Sequence, residues 1–458
     1  MKKIESKKIA ELKHRSRRGS IKEGMFATVK GSFFDTYISP FALAINSSSS
    51  LIAMISSITG LLGPLSQSSS SRLMEKYSRK KIVVTAVLWE CLSILPIILI
   101  AFLFYKGILT SFLPLTLLIT FSLYVIFANL AGPAWFSWMG DIIDDEYRGR
   151  WFAKRNLILG FISVILAISA SFFLDFFKSK NWTMFGFMIL FFIAFVGRMI
   201  SREIFKKQYE PKIELKDGYY FSFTQFLLKA PTNNFGRFTI FRALISFAGS
   251  IFAPFLAVYL LKDLNLSYTL YMIITFSGTI FSLIVMELWG KFADEYGNYK
   301  TMALTSIALP IIPILWMLNK SPIYLIIVPS LVSGIAWAGF NLAAGNFVYD
   351  NVSVPRRGLV ISYYNLLSGI GVFLGAGLGA ILVKVITIQI INPLIIIFFI
   401  SAILRLIVIL VWIPKLKEVR ATNHFNGREA FKNIILKQAK PTIIEGIYEL
   451  ISIKKYFW

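Results

Sequence analysis

Soft-metal ligands and thiol chemistry are nearly absent: one cysteine and two histidines occur in 458 residues. Cys91 stands alone, and His14 and His424 lie near opposite ends of the chain. Neither a metal cluster, a disulfide nor a Cys/His nucleophile–base pair is expected from them. No Gly-Lys-Ser/Thr phosphate loop occurs, which excludes nucleotide hydrolysis by that route. Acidic residues are also scarce, 24 Asp and Glu against 48 Lys and Arg, giving a net charge of +24. Enzymatic chemistry therefore finds no support, and no cofactor or metal is expected.

Apolar residues are what the chain has in abundance. Hydrophobic types make up 56%, with 42 Phe, and the mean hydropathy is +0.67. That exceeds what a water-soluble core of this size needs. A helix crossing a hydrocarbon layer ~30 Å thick needs about 20 mostly apolar residues. Twelve such segments are expected, near 24–46, 48–68, 82–104, 111–137, 155–176 and 182–200, then near 236–261, 268–290, 301–318, 322–348, 359–384 and 391–414. If both ends of the chain are cytoplasmic, 39 of the 48 Lys and Arg fall on inner segments and five on outer loops. Basic residues resist translocation, so this bias predicts the orientation. It also accounts for the positive charge through topology, and nucleic acid is not expected as a partner.

The chain repeats itself at half its length. With one constant offset, Gly140–Asn156 lies over Tyr349–Asn365 and matches at Asp141/Asp350, Arg148/Arg357, Gly149/Gly358 and Asn156/Asn365. A repeat this long implies two domain-sized halves. A second pair lies between spans two and three and between spans eight and nine: Ser71-Arg-Leu-Met-Glu-Lys-Tyr-Ser-Arg-Lys-Lys81 and Gly290-Lys-Phe-Ala-Asp-Glu-Tyr-Gly-Asn-Tyr-Lys300. Small residues there let helix ends approach, a carboxylate can pair with a neighbouring Arg or a helix N-terminus, and trailing cations hold the loop inside.

On these residues the chain resembles the major facilitator superfamily of secondary transporters, whose signature in this loop is Gly-x-x-x-Asp-Arg-x-Gly-Arg-Lys/Arg. Gly290, Asp294 and Gly297 fit the second copy; Arg79 and Lys80 fit the first. Ser71, Ser78, Glu75, Lys76, Glu295 and Asn298 depart from it. The resemblance implies an all-α membrane protein of twelve transmembrane helices in two pseudo-symmetric six-helix bundles, working by alternating access. It further implies a charge network acting as a cytoplasmic gate, for which the candidates are Glu75, Arg79, Asp141, Arg148, Gly290, Asp294, Gly297, Asp350 and Arg357. Two features common in the family are missing: span four has no Arg, and span five has neither proline nor a glycine series.

Ionisable residues inside spans cost about 2.5–3.5 kcal/mol each on insertion scales. Asp35, in an unusually polar first span beside Lys30, and Glu90, roughly 13 Å of helix rise past Lys81, are the candidates for carrying a coupling ion. Either carboxylate is alternatively neutralised by Lys30 or Arg242. Asn129, Gly132 and Pro133 are expected to break span four, and amides near mid-membrane with an aromatic wall make Asn129, Trp337 and Asn341 the candidate substrate contacts. Trp135 and Trp138 are expected in an interfacial belt. The small residues of Ser368–Gly379 are expected to pack closely on a neighbouring helix.

The expected organisation is a basic tail over 1–22, bundles over 23–200 and 236–414, a linker with a short surface helix over 201–235, and a basic tail over 415–458 that either lies on the membrane or is solvated. The expected function is secondary active transport of a small, amphipathic solute across the cytoplasmic membrane, coupled to protons or another ion. A lipid or lysolipid translocator, or an uncoupled facilitator, is the alternative on the same fold. The partners expected are a small-molecule substrate and the lipid bilayer, and the expected unit is a monomer.

Overall fold

The computed structural model describes residues 2–144, 148–211, 222–352, 357–386, 392–420 and 422, and among them every regular element is helical. In apolar surroundings a backbone without water must satisfy its own N–H and C=O groups, and helices do so within one segment. Eleven helices are long and apolar enough to cross a membrane. They are α2 (Ser49–Met74), α3 (Arg79–Tyr105), α4 (Leu113–Ile142), α5 (Arg148–Ser179), α6 (Thr183–Lys206), α7 (Asn234–Asp263), α8 (Tyr268–Tyr296), α9 (Asn298–Leu318), α10 (Pro322–Asn351), α11 (Arg357–Val385) and α12 (Pro393–Trp412). The twelfth crossing is α1 (Lys2–Phe33) with its continuation, a 3-10 turn at Asp35–Tyr37 and a helix over Ile38–Ala44. The charged N-terminal stretch is thus helical and continuous with the first span. A further short helix, Phe223–Lys229, precedes α7 and opens with a Ser222/Gln225 capping box.

Proline places the irregularities. It removes an N–H and crowds the carbonyl four residues back, and four of the helices are interrupted a few residues before a proline. Asp35-Thr36 precede Pro40, Ser93 precedes Pro96, Gly249-Ser250 precede Pro254, and Pro310 is followed by Pro313; α1, α3, α7 and α9 are interrupted at these four places. The expected break in span four is not there, because α4 runs unbroken through Pro133. Pro64 in α2, beside Gly63, and Pro329 in α10 are likewise carried through unbroken helix.

The chain divides into two compact units, one of residues 1–217 with Pro254–Met272, the other of residues 218–253 with 273–458. In the first, α1 packs on α5 and α6, α2 on α4, and α3 on α4 and α6. The second repeats the scheme: α7 packs on α11 and α12, and α9 on α10 and α12, while Ser330 of α10 donates to the Ile274 carbonyl of α8 at 3.2 Å. Equivalent helices thus take equivalent partners, as a duplicated sequence requires.

The core of the first unit is aliphatic and aromatic: Val83, Val87, Ala134, Trp138, Met139 and Phe205 form one cluster. Phe34, Phe41, Phe187 and Phe191 interlock through three edge-to-face contacts and one tilted one, with centroids 4.9–5.8 Å apart. In the second unit α11 lies so close to α7 that a Cβ on Gly371 or Gly375 would collide with the carbonyls of Ala243 and Phe247. Only glycine allows that approach. Large apolar side chains such as Leu99, Leu115, Phe172, Phe176 and Leu410 remain more than half exposed, as lipid-facing surfaces are.

Candidate functional site

Unwinding of α1 after Phe33 takes Asp35 out of the helical register and sets its carboxylate beside Lys30, the residue that would otherwise lie nearly one and a half turns below it. Lys30 Nζ is 2.8 Å from Asp35 Oδ2, 2.9 Å from the Tyr124 hydroxyl on α4 and 3.0 Å from Glu90 Oε1 on α3. The Tyr124 hydroxyl donates to Asp35 Oδ1. The opposite oxygen of Glu90 accepts from Arg198 of α6, at 2.8 Å from Nη2 and 3.0 Å from Nε. Arg198 also contacts Glu23 Oε1 of α1 at 3.5 Å, Ser201 donates to that oxygen at 3.0 Å, and Arg155 of α5 reaches Glu23 Oε2 at 3.3 Å.

Five helices thus share one chain of charge, three cations against three carboxylates when Asp35 is ionised. Its members differ in access. The side chains of Glu90 and Glu23 are 1% and 3% exposed, whereas Asp35 is 42% exposed. Glu90 is therefore held between two cations inside the unit, and Lys30, not Arg242, is the cation it shares with Asp35. Arg198 and Glu23 were not singled out in the sequence because both fall in charged stretches flanking a predicted span, where basic residues are read as topology.

The gate candidates sort into two matching constellations. In the first unit, Arg79 at the start of α3 is buried and points Nη1 at Asp141 Oδ2, 2.5 Å away, and at the Ser137 carbonyl, 2.9 Å away. Its Nη2 donates to the Pro211 carbonyl at 3.1 Å. Glu210 accepts from the Lys80 amide at 3.2 Å, and Trp138 donates to the Tyr209 carbonyl at 2.8 Å. In the second unit Asn298 stands in the place of Arg79 and donates to Asp350 Oδ2 at 2.6 Å; Glu418 accepts from the Tyr299 amide at 2.8 Å. A carboxylate after the sixth helix of each half therefore caps the third helix of that half, where backbone N–H groups lack partners. Glu210 and Glu418 lie outside the signature loops, and only their shared Lys-x-x-x-Glu and Lys-x-Lys-Glu context hinted at them.

Other gate candidates are local. Arg148 donates to the Gly140 carbonyl at 2.6 Å and closes the end of α4. Glu75 is the C-cap of α2. Asp294 is exposed, 3.8 Å from Arg420. Gly297 begins α9 with φ at +95°, a value that glycine adopts without strain. Gly290 is a correction: it lies within α8 and a Cβ there would meet nothing within 4 Å, so no close approach of helix ends depends on it. Arg357 opens α11, and its side chain and the tail beyond 422 lie outside the described residues.

Of the substrate candidates, Asn129 belongs to the first unit and Trp337 and Asn341 to the second. Asn129 is already engaged, accepting from Gln67 of α2 at 3.1 Å and donating to the Val125 carbonyl at 2.9 Å. Asn341 is exposed, one turn beyond Trp337 on α10. Two guanidinium groups approach the Trp337 ring, with Cζ of Arg242 at 5.8 Å and Cζ of Arg405 at 6.0 Å from its centroid. Trp135 and Trp138 do not form an interfacial belt. Trp138 is fully buried, and the Arg155 guanidinium covers Trp135 at 4.5 Å; both rings face the helices packed on α4.

A fold built this way has known relatives. The structure is similar to that of a D-xylose–proton symporter (TM-score 0.67, 12% identity, 90% of this chain and 99% of that one). It is also similar to an autoinhibited POT-family peptide transporter (0.65, 13%, 90% and 99%) and to the nucleoside transporter NupG (0.61, 16%, 89% and 100%). At these identities the likeness is one of fold. No individual characterised protein matches the sequence. The sequence model of the Major Facilitator Superfamily, however, matches residues 24–232 and 238–458, so this multi-pass membrane protein is a transporter, not an enzyme, and belongs to the Major Facilitator Superfamily.

Proposed function

We propose that the protein carries a small solute across the cytoplasmic membrane by alternating access, with both termini in the cytoplasm, and that Asp35 takes and releases the coupling proton. The observation that supports this reading is the unequal access within one charge network: Asp35 is the exposed carboxylate, and Glu90 and Glu23 are sealed. With Asp35 ionised the network is balanced. A proton on Asp35 removes one of Lys30's counter-charges and leaves the network one positive charge in excess. Lys30 then rests on Glu90 and Tyr124 alone. Asp35 sits on the interrupted turn of α1, so its charge bears on the place where that helix bends most readily. Among the structurally similar proteins, one is named as a proton symporter.

The test is reconstitution in liposomes with an internal pH dye, adding candidate solutes in pools. Solute-dependent proton movement is expected in the wild type and lost in Asp35→Asn. Undiminished proton movement in that variant would overturn the assignment.

A further inference from the structure

Arg405 of α12 is almost completely buried, with 2% of its surface exposed. Its Nη1 donates to the Leu309 carbonyl at 2.8 Å, which is open because its usual helical partner is residue 313, a proline. That one bond needs only a neutral donor. The rest of the guanidinium rests on the rings of Phe252 and Trp337, at 5.0 and 6.0 Å, and its Nε has no partner.

Arg242 of α7 approaches the same tryptophan, its Cζ 5.8 Å from the Trp337 centroid and 5.1 Å from the Phe340 centroid. It donates to the Tyr364 hydroxyl, and its Nη1 is likewise buried and unpartnered. Through the shared ring the two guanidinium carbons lie within about 12 Å of each other.

No described carboxylate pairs with either arginine. In the second unit's parts of α7, α8 and α9–α12 the acidic residues are Glu287, paired with Lys291 at 3.1 Å, and Asp294, Glu295 and Asp350, all near helix ends. The contrast with the first unit, where three cations meet three carboxylates, is sharp. A buried cation without a counter-charge carries a desolvation cost that cation–π contact offsets only in part. Neutralising both arginines calls for negative charge that the described residues of this unit do not supply.

We propose that Arg242, backed by Arg405, forms an anion-binding subsite, and that the solute carried by this transporter is an organic anion whose apolar body lies on the partly exposed ring of Trp337. This names the substrate class for the transport reading above and rests on it. Two unpaired donors fix the acidic head, and the indole face supplies the apolar wall.

The full-length protein in phosphatidylcholine nanodiscs provides the test, with phenylacetate as probe and uncharged phenylacetamide as control, followed by thermal unfolding. Phenylacetate should stabilise the protein saturably and phenylacetamide should not. Arg242→Gln should weaken the apparent affinity on the order of tenfold to a hundredfold, the loss of one charged hydrogen bond, and Arg242→Lys should recover part of it. Arg405→Met, which keeps the volume, should fold and also bind more weakly. Equal effects of acid and amide, no effect of either, or a phenylacetate effect untouched by the arginine variants would each overturn the subsite. So would an Arg242-dependent response to added phosphatidylglycerol with none to phenylacetate, which would assign the arginines to a lipid headgroup. The two proposals have separate readouts: Arg242-dependent phenylacetate binding tests the subsite, and solute-dependent proton movement in wild type against Asp35→Asn tests the coupling.

Discussion

Glu90 and Arg198 form a two-point pair inside the first unit, with Oε2 held 2.8 and 3.0 Å from two nitrogens of one guanidinium. Removing one partner of such a pair strands the other without solvent, which costs about 3–5 kcal/mol. Glu90→Gln should therefore destabilise by that order, while Asp35→Asn, whose pair is partly solvated, should cost about 0–1 kcal/mol. Cys91 offers the readout: it is the one cysteine, it is buried and it adjoins Glu90, so a thiol-reactive fluorophore labels it when the unit opens. Equal labelling temperatures for the two variants would contradict the division between sealed and accessible carboxylates.

Arg79 joins the start of α3 to the end of α4 through two acceptors and to the strap after α6 through a third. Lysine has the charge but not the fork. Arg79→Lys should cost about 1–3 kcal/mol, and a double-mutant cycle of Arg79→Ala with Asp141→Ala should show a coupling of about 0.5–3 kcal/mol. Additive single-mutant effects on the unfolding midpoint would mean the 2.5 Å contact carries no stability.

The twelve spans were legible because long apolar runs are a strong signal, and the duplication because Asp141/Asp350 and Arg148/Arg357 keep one offset. The Lys30–Asp35 pair was legible from proximity on one segment. Arg198 and Glu23 were not, since at the edge of a span a charge that faces inward reads the same as one that faces the aqueous side. Trp138 was misplaced for a related reason: its depth along the helix suggested an interface, but which face it occupies is set by packing on Phe205. The Arg79–Asp141 and Asn298–Asp350 contacts stay within their own halves, which the repeat alone did not specify.

The helix crossing of α7 and α11 depends on two positions one turn apart. Gly375→Val should push α11 away from the Phe247 carbonyl and cost at least the 1–3 kcal/mol of an overpacked core, whereas Leu374→Val, on an exposed position of the same helix, should cost little. Heat-induced loss of the monodisperse peak in size-exclusion chromatography measures both. Tolerance of valine at 375 would show that the crossing can open without penalty.

Two glycines of the same signature loop should respond in opposite ways. Gly290 lies in α8 with open space around its missing side chain, so Gly290→Ala should be neutral or add up to ~1 kcal/mol through helix propensity. Gly297 holds φ at +95°, and a Cβ there would run into the Glu418 carboxylate that accepts from the Tyr299 amide. Gly297→Ala should cost about 1–3 kcal/mol in backbone strain, to which loss of the Glu418 contact adds about 1 kcal/mol. Combining it with Glu418→Ala should be less than additive, because each change removes that same hydrogen bond. If Gly290→Ala proves as damaging as Gly297→Ala, the loop works through a close helix approach at residue 290 and not through the cap at 297.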